Sequence, residues 1–255
     1  MQDQFQRTAM LYGYENVQKL KNRRVAVFGI GGVGGHCAEA LCRTGVGSLD
    51  LFDGDIVDIT NINRQILATH KSIGKTKVDV MRERLLDINP ELIVKTVKLF
   101  YLPDTADTVD LSVYDYIVDA VDTVTAKLEL ISRAVAIGIP VISSMGTGNK
   151  IDPTALIVAD IYETSVCPLA RIMRHELRKR GVAALKVVYS KELPVRTGED
   201  NSDSTSSISK DRDRLSIQSR DRQVPASNAF VPPAAGLILA SEVVKDLIDD
   251  TMINH

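Results

Sequence analysis

Apolar positions recur along this chain with two alternating periods. Arg24–Gly29 (RVAVFG) is a short β-branched and aromatic run ending in glycine, the pattern of a buried strand. Directly after it, Gly32–Thr44 sets Val33, Cys37, Ala40, Leu41 and Thr44 on one face at helical spacing. Ser48–Asp53 reads as the next strand. Gly74–Ile88 places Val78, Met81, Leu85 and Ile88 at helical spacing, and Asn89-Pro90 stops it. Glu91–Val97 and Tyr116–Val121 read as strands, Thr123–Ile137 as a helix closed by Gly138, and Pro140–Ser144 as a further strand. A helix over Cys167–Arg180, a strand over Ala184–Ser190 and a docking helix over Ala234–Ile248 follow. Repeated strand–helix units predict the α/β class. The expected fold is a Rossmann-like, mostly parallel sheet flanked by helices, in a single domain over residues 1–255 with a C-terminal antiparallel extension.

One stretch breaks the pattern. Thr197–Gln223 holds seven serines and eleven charged residues but only three of Ile, Leu or Val. It has too little apolar surface to offset its ordering entropy, which predicts a mobile serine-rich loop within the domain. Composition excludes several classes. The chain has 255 residues, 44% of them hydrophobic, enough for one large core. A net charge of −2 rules out a molecule that binds polyanions over its whole surface, so any nucleic-acid contact must be a local patch. Three cysteines (Cys37, Cys42 and Cys167) with no CxxC pair argue against a disulfide framework or a paired-CxxC zinc site, and they fit a reducing cytoplasm. The N-terminus lacks signal-peptide character, and the longest mostly apolar stretch, Gln223–Ser241, is broken by Pro225, Pro232 and Pro233. No membrane association is expected.

Gly29-Ile30-Gly31-Gly32-Val33-Gly34 lies between a predicted strand and a predicted helix. Glycines there let the backbone turn tightly and approach a phosphate, while the helix N-terminus offers free N–H groups. Asp53 follows Gly29 by 24 residues at the end of the second strand, where a carboxylate accepts from ribose hydroxyls. These features alone say "nucleotide" and leave a NAD-dependent enzyme open. Then come Asp55, Thr60-Asn61-Ile62-Asn63-Arg64-Gln65 and Gly74-Lys75-Thr76-Lys77. A cation pair just past the ribose acid suits a triphosphate: Arg64 forks onto phosphate oxygens with Asn61 beside it, and Lys77 reaches back as a point charge. Lys77 also reads as a solvated helix residue, and Asn61-Ile62-Asn63-Arg64 as an ordinary turn. Asp119-Ala120-Val121-Asp122 ends a buried strand, so Asp122 is either a Mg²⁺ ligand or the cap of the next helix.

These pieces in this order, GxGGxG, DxD with NxNRQ, GxxK and DxxD, resemble the ubiquitin-activating-enzyme-like superfamily (the ThiF–MoeB–HesA group) over about residues 7 to 160. The resemblance implies a ThiF-type adenylating domain binding ATP and Mg²⁺. In it Gly29, Gly31, Gly32 and Gly34 form the phosphate loop and Asp53 holds the ribose. Asp55, Asn61 and Gln65 line the site, Arg64 and Lys77 bind phosphates, and Asp122 orders the metal. It also implies a homodimer in which Arg7 of one copy completes the other's phosphate site. Two superfamily features are missing: paired CxxC motifs, and a convincing nucleophile, since Cys37 and Cys42 read as core and Cys167 stands alone at a helix start.

The last third is similar to the tRNA threonylcarbamoyladenosine dehydratase family, through Cys167-Pro168-Leu169-Ala170-Arg171, the basic run to Arg180, and Phe230-Val231-Pro232-Pro233-Ala234-Ala235-Gly236. Gly35 departs from that family, where serine is common. Charge supports an RNA partner independently. From Ser165 to Arg196 stand eight Lys or Arg against Glu176 and Glu192. Arg171, Arg174 and Arg178 share one helical face, with Lys179 and Arg180 behind them, a stripe suited to phosphate backbone. The implied reaction is a ligase-type, ATP-dependent cyclisation of threonylcarbamoyladenosine beside the anticodon. A cysteine desulfurase or sulfur-carrier protein is a further expected partner. The competing readings are an activator of a ubiquitin-like sulfur carrier, a non-enzymatic scaffold and a NAD dehydrogenase.

Overall fold

The computed structural model describes residues 3–195 and 225–249, so the serine-rich stretch expected to be mobile lies outside the described residues. Seven strands form one sheet: β1 (Arg24–Phe28), β2 (Ser48–Phe52), β3 (Ile93–Val97), β4 (Tyr116–Asp119), β5 (Val141–Ser144), β6 (Leu156–Asp160) and β7 (Lys186–Ser190). Their order is β3-β2-β1-β4-β5-β7-β6. All pairings are parallel except β6 with β7, which forms the antiparallel extension. Strands β1 and β4 are buried on both faces, which is why they read as continuous apolar runs without alternation.

Among the described residues seven α-helices accompany the sheet: α1 (Gln6–Tyr12), α2 (Tyr14–Lys21), α3 (Gly34–Thr44), α4 (Lys77–Ile88), α5 (Val124–Ala136), α6 (Pro168–Lys179) and α7 (Val231–Ile248). On one face Val25, Val27, Leu49 and Leu51 pack with Cys37 and Leu41 of α3, Met81 and Leu85 of α4, and Leu239 and Val243 of α7. On the other, Ala26, Phe28 and Ile117 meet Leu130 and Ala134 of α5, and Phe28 stacks on Phe52 at 4.2 Å between ring centroids. Each such Leu, Ile or Phe contributes about 1.5–3 kcal/mol when fully buried.

Three departures from the sequence reading have local causes. Helix α4 begins at Lys77, because Gly74 is left-handed and Thr76 is drawn into a bridge with Ile56. Strand β6 was not read from the sequence: it is an edge strand, half-buried along most of its length, and its pattern is weak. Helices α1 and α2 also escaped, and α1 buries none of its residues. The functionally decisive feature is topological. The order reverses at β1, whose neighbours are β2 on one side and β4 on the other. A crevice opens at such a switch point, beyond the carboxyl ends of the strands.

Candidate nucleotide and adenylation site

The turn out of β1 occupies this crevice. Gly29 has φ +85, and a Cβ there would lie 2.7 Å from the Ala120 carbonyl oxygen. A Cβ on Gly34 would come within 1.8 Å of the Gly29 oxygen, so the turn closes only without a side chain at either position. Gly31 is different: its Cβ would meet only Gln65 Nε2 at 3.8 Å. Packing therefore requires Gly29 and Gly34, while Gly31 keeps an open face for a ligand. Helix α3 starts from this loop without a side-chain cap, and the N-terminus of a helix favours an anion.

Asp53 braces the loop from the end of β2. Its Oδ2 accepts from Ile30 N at 2.7 Å and its Oδ1 from Asp55 N at 2.8 Å, and a carboxylate with two bonds keeps lone pairs for ribose hydroxyls. Lys77 is buried in the first turn of α4, with Nζ 2.7 Å from Asp55 Oδ2. The structure thus makes Asp55 the holder of Lys77 and withdraws Lys77 from the solvated class.

The β2–α4 connection delivers the remaining groups. Asn61 Oδ1 accepts from Asp58 N while the Asp58 side chain caps the turn, so Asn61 shapes the loop itself. The stem of Arg64 lies over Gly32, 3.2 Å from where its Cβ would be. Among the described residues its guanidinium donates only from Nη1, to Thr60 O and Asn63 Oδ1, each at 3.0 Å, leaving Nε and Nη2 for phosphate oxygens. Gln65 is 6% exposed, and its Oε1 has no hydrogen-bond partner among the described residues. An orphaned buried acceptor beside the open face of Gly31 fits a donor supplied by a nucleotide.

Asp122 follows β4, exposed, with one hydrogen bond from Thr123 Oγ1 at 3.3 Å. The cap reading is not realised: the N-cap of α5 is Thr123 and no side chain caps it. No group of three or more His, Cys, Asp or Glu among the described residues could hold a metal alone. A single free carboxylate fits Mg²⁺, which takes one or two carboxylates and completes its shell with phosphate oxygens and water.

The sequence did not flag several supporting residues. His36 Nδ1 lies 2.9 Å from Gly32 O, and burial lowers its pKa, so a neutral ring donates to the phosphate loop. Asn63 Nδ2 donates to Ser227 O and Asn228 Nδ2 to Lys150 O, tying the chain before α7 across the front of the site. Asn63 and Asn228 are polar loop residues, which carry no periodic signal that would have found them. The cysteines are all buried, and burial pushes the Cys42 thiol up to about 11 and Cys37 higher still. The basic stripe on α6 is largely self-engaged. Arg174 donates to Thr164 O and Oγ1, Arg178 sits 5.0 Å above the Tyr162 ring, and Lys179 and Arg180 both bridge to Glu176. Among the described residues Arg171 is exposed without such a partner, and so is Arg7 on α1.

A model of the ThiF family matches residues 5–254. The chain belongs to the ThiF family. A tRNA threonylcarbamoyladenosine dehydratase of Bacillus subtilis (strain 168) is 43% identical over 258 residues, taking in 100% of this chain and 98% of that protein. The enzyme of the same name from Escherichia coli (strain K12) is 39% identical over 196 residues, 74% of this chain and 73% of that one. Among solved structures, E. coli TcdA in complex with ATP superposes with a TM-score of 0.83 at 33% identity, covering 99% of this chain and 96% of that chain.

Proposed function

We propose that this chain is an ATP-dependent tRNA threonylcarbamoyladenosine dehydratase. The observation that carries the reading is one end of one sheet. There an open phosphate loop, a carboxylate suited to ribose, an arginine with free donors, a lysine held by Asp55, an orphaned acceptor and a free carboxylate lie together without a nucleophilic thiol. The full-length likeness to relatives bearing that name selects the substrate.

The threonyl carboxylate of the modified adenosine is a poor electrophile. It attacks the α-phosphate of ATP, the bond to the β-phosphate breaks, and pyrophosphate leaves. The urea group of the same nucleoside then attacks the activated carbonyl, closes a ring and expels AMP. The net change is loss of one water from the nucleoside. Because the nucleophile is tethered, proximity replaces a catalytic thiol or serine, consistent with the burial of all three cysteines. Arg64 and Lys77 stabilise charge developing on the phosphates, and Asp53 orients the nucleotide through its ribose. Mg²⁺ beside Asp122 supplies further charge neutralisation when bound.

A homodimer is part of the reading. Met10 (81% exposed), Leu11 (77%) and Tyr14 (67%) stand on the α1–α2 hairpin next to Arg7, an apolar surface suited to a second copy that would receive Arg7. Arg171 and the outer residues of α6 are the proposed tRNA contacts. No helix among the described residues is long and apolar enough to cross a membrane.

The test is mass spectrometry of nucleosides from threonylcarbamoylated tRNA incubated with the protein, ATP and Mg²⁺. The expected product is lighter by one water and forms only with ATP. AMP without that product would transfer the adenylation site to a carrier-protein acceptor, and neither product would overturn the reading.

A further inference from the structure

A sealed polar cluster lies between the carboxyl ends of β4 and β5, directly behind the proposed site. Lys127, on α5, is 1% exposed, and Asp119, the last residue of β4, is 0% exposed. Lys127 Nζ donates to Asp119 Oδ2 at 3.0 Å, to Ser143 Oγ at 3.2 Å and to the Ser144 carbonyl at 2.7 Å. Ser143 Oγ donates to Asp119 Oδ2 at 2.6 Å. The other Asp119 oxygen accepts from Val121 N at 3.3 Å. All three ammonium hydrogens thus have acceptors, so the buried charge is compensated.

The position of this cluster matters more than its contribution to the core. Asp119 Oδ1 holds the Ala120–Asp122 turn, whose Ala120 carbonyl abuts Gly29 of the phosphate loop. Lys127 reaches across from α5 to the Ser144 carbonyl, where β5 runs out beside the same crevice. One ammonium therefore links two strand ends and, through Asp119, the backbone one place before Asp122. Charged pairs buried only for stability are weak devices, because apolar residues of similar volume do as well or better. A buried pair that orients a ligand-binding carboxylate has a reason to be ionic.

We propose that Lys127 is a positioning residue that, through Asp119 and Ser143, holds Asp122 where metal and phosphates meet. This rests on the nucleotide-site reading but not on the identity of the acceptor. Its primary readout is the gain in ATP affinity on adding Mg²⁺, measured by calorimetry with Mg²⁺ and with EDTA. Three variants are compared with the wild type: Lys127→Met, the neutral pair Asp119→Asn with Lys127→Met, and Ser143→Ala. Thermal melting reports folding separately. Lys127→Met strands a buried carboxylate and is expected to melt early, while the neutral pair and Ser143→Ala keep the fold. Partners behind a ligand are worth about 10–100-fold in metal affinity or activity. The neutral pair is therefore expected to lose about tenfold of the Mg²⁺-dependent gain with affinity in EDTA unchanged, and to lower kcat by a larger factor than it raises the KM for ATP. Ser143→Ala is expected to shift the same readout in the same direction by a smaller factor.

A folded neutral-pair variant or Ser143→Ala protein with the wild-type gain would overturn the proposal and leave Lys127 a packing residue. A wild type whose ATP affinity does not respond to Mg²⁺ would overturn it as well. A wild type that binds ATP with Mg²⁺ but makes no dehydrated nucleoside would refute only the substrate reading. The Lys127 comparison would stand.

Discussion

Two ionic clusters stand on the same sheet and differ in what they leave unused. At the outer end, Arg24 grips Asp50 through Nε at 3.1 Å and Nη2 at 2.8 Å, and Tyr114 donates to Asp50 Oδ2 at 2.9 Å. Both Asp50 oxygens are occupied, and the Arg24 guanidinium also lies 5.2 Å over the Tyr114 ring. At the switch-point end, Arg64 keeps donors free, Gln65 keeps an acceptor free and Asp122 keeps most of a carboxylate free. Residue types alone do not separate the clusters. Satisfaction does: a closed hydrogen-bond account marks structure, and an open one at a crevice marks a place for a ligand.

The sharpest way to break this comparison is to remove charge from the open cluster. Arg64→Ala and Asp122→Ala are each expected to lower kcat/KM by about 10²–10³-fold, the usual scale for a preorganised charge stabiliser. Their melting temperatures should stay within a few degrees of wild type, since neither side chain supports the core. Near wild-type turnover by either purified variant would remove it from the site. The closed cluster should behave in the opposite way. Asp50→Ala leaves the Tyr114 hydroxyl and Arg24 without their acceptor and is expected to cost about 2 kcal/mol of unfolding free energy in a urea titration. The activity of the protein that remains folded should be unchanged, and a loss of kcat without a loss of stability would show the two clusters to be coupled.

Gln65 offers a finer test. Gln65→Leu removes an orphaned acceptor, so stability should hold or rise slightly. ATP binding should weaken by about tenfold, the equivalent of one good hydrogen bond. Unchanged affinity in calorimetry would mean that the nucleotide does not use this oxygen.

The smallest effect concerns pH. Burial lowers the pKa of His36 below its ordinary 6.5 in the folded state, so between that folded value and 6.5 the unfolded chain binds more protons. Stability from this group is therefore complete above 6.5 and declines as pH falls below it. Glu39 and Arg84 act on the ring in opposite directions, and burial outweighs both. His36→Asn, which retains a donor for Gly32 O, should flatten this part of the urea-midpoint profile. A profile parallel to wild type would assign the slope to other groups.

These contrasts also show how much was legible beforehand. The βα order, the glycine turn and the candidate ribose acid Asp53 follow from short-range rules, because strand period, helix period and glycine placement are written in consecutive residues. The proposed phosphate cations Arg64 and Lys77 were legible as a motif, and the structure supplied the reason Lys77 is not solvent-facing: Asp55 holds it. The α6 stripe shows the limit of the same approach. Arg171, Arg174 and Arg178 do share a face, but Thr164 and Tyr162, on the connection before the helix, occupy two of them.

By itself, then, the sequence determined the element types, the parallel sheet and the chemical inventory of the crevice, since each depends on local pattern. Only the tertiary structure decided which polar groups are spent and which are free. That outcome depends on residues far apart in sequence: Asp53 reaching Ile30, Asn63 reaching Ser227, and Asn228 reaching Lys150. No window along the chain contains both partners of such a bond, so the satisfied and unsatisfied groups separate only once the strands lie side by side.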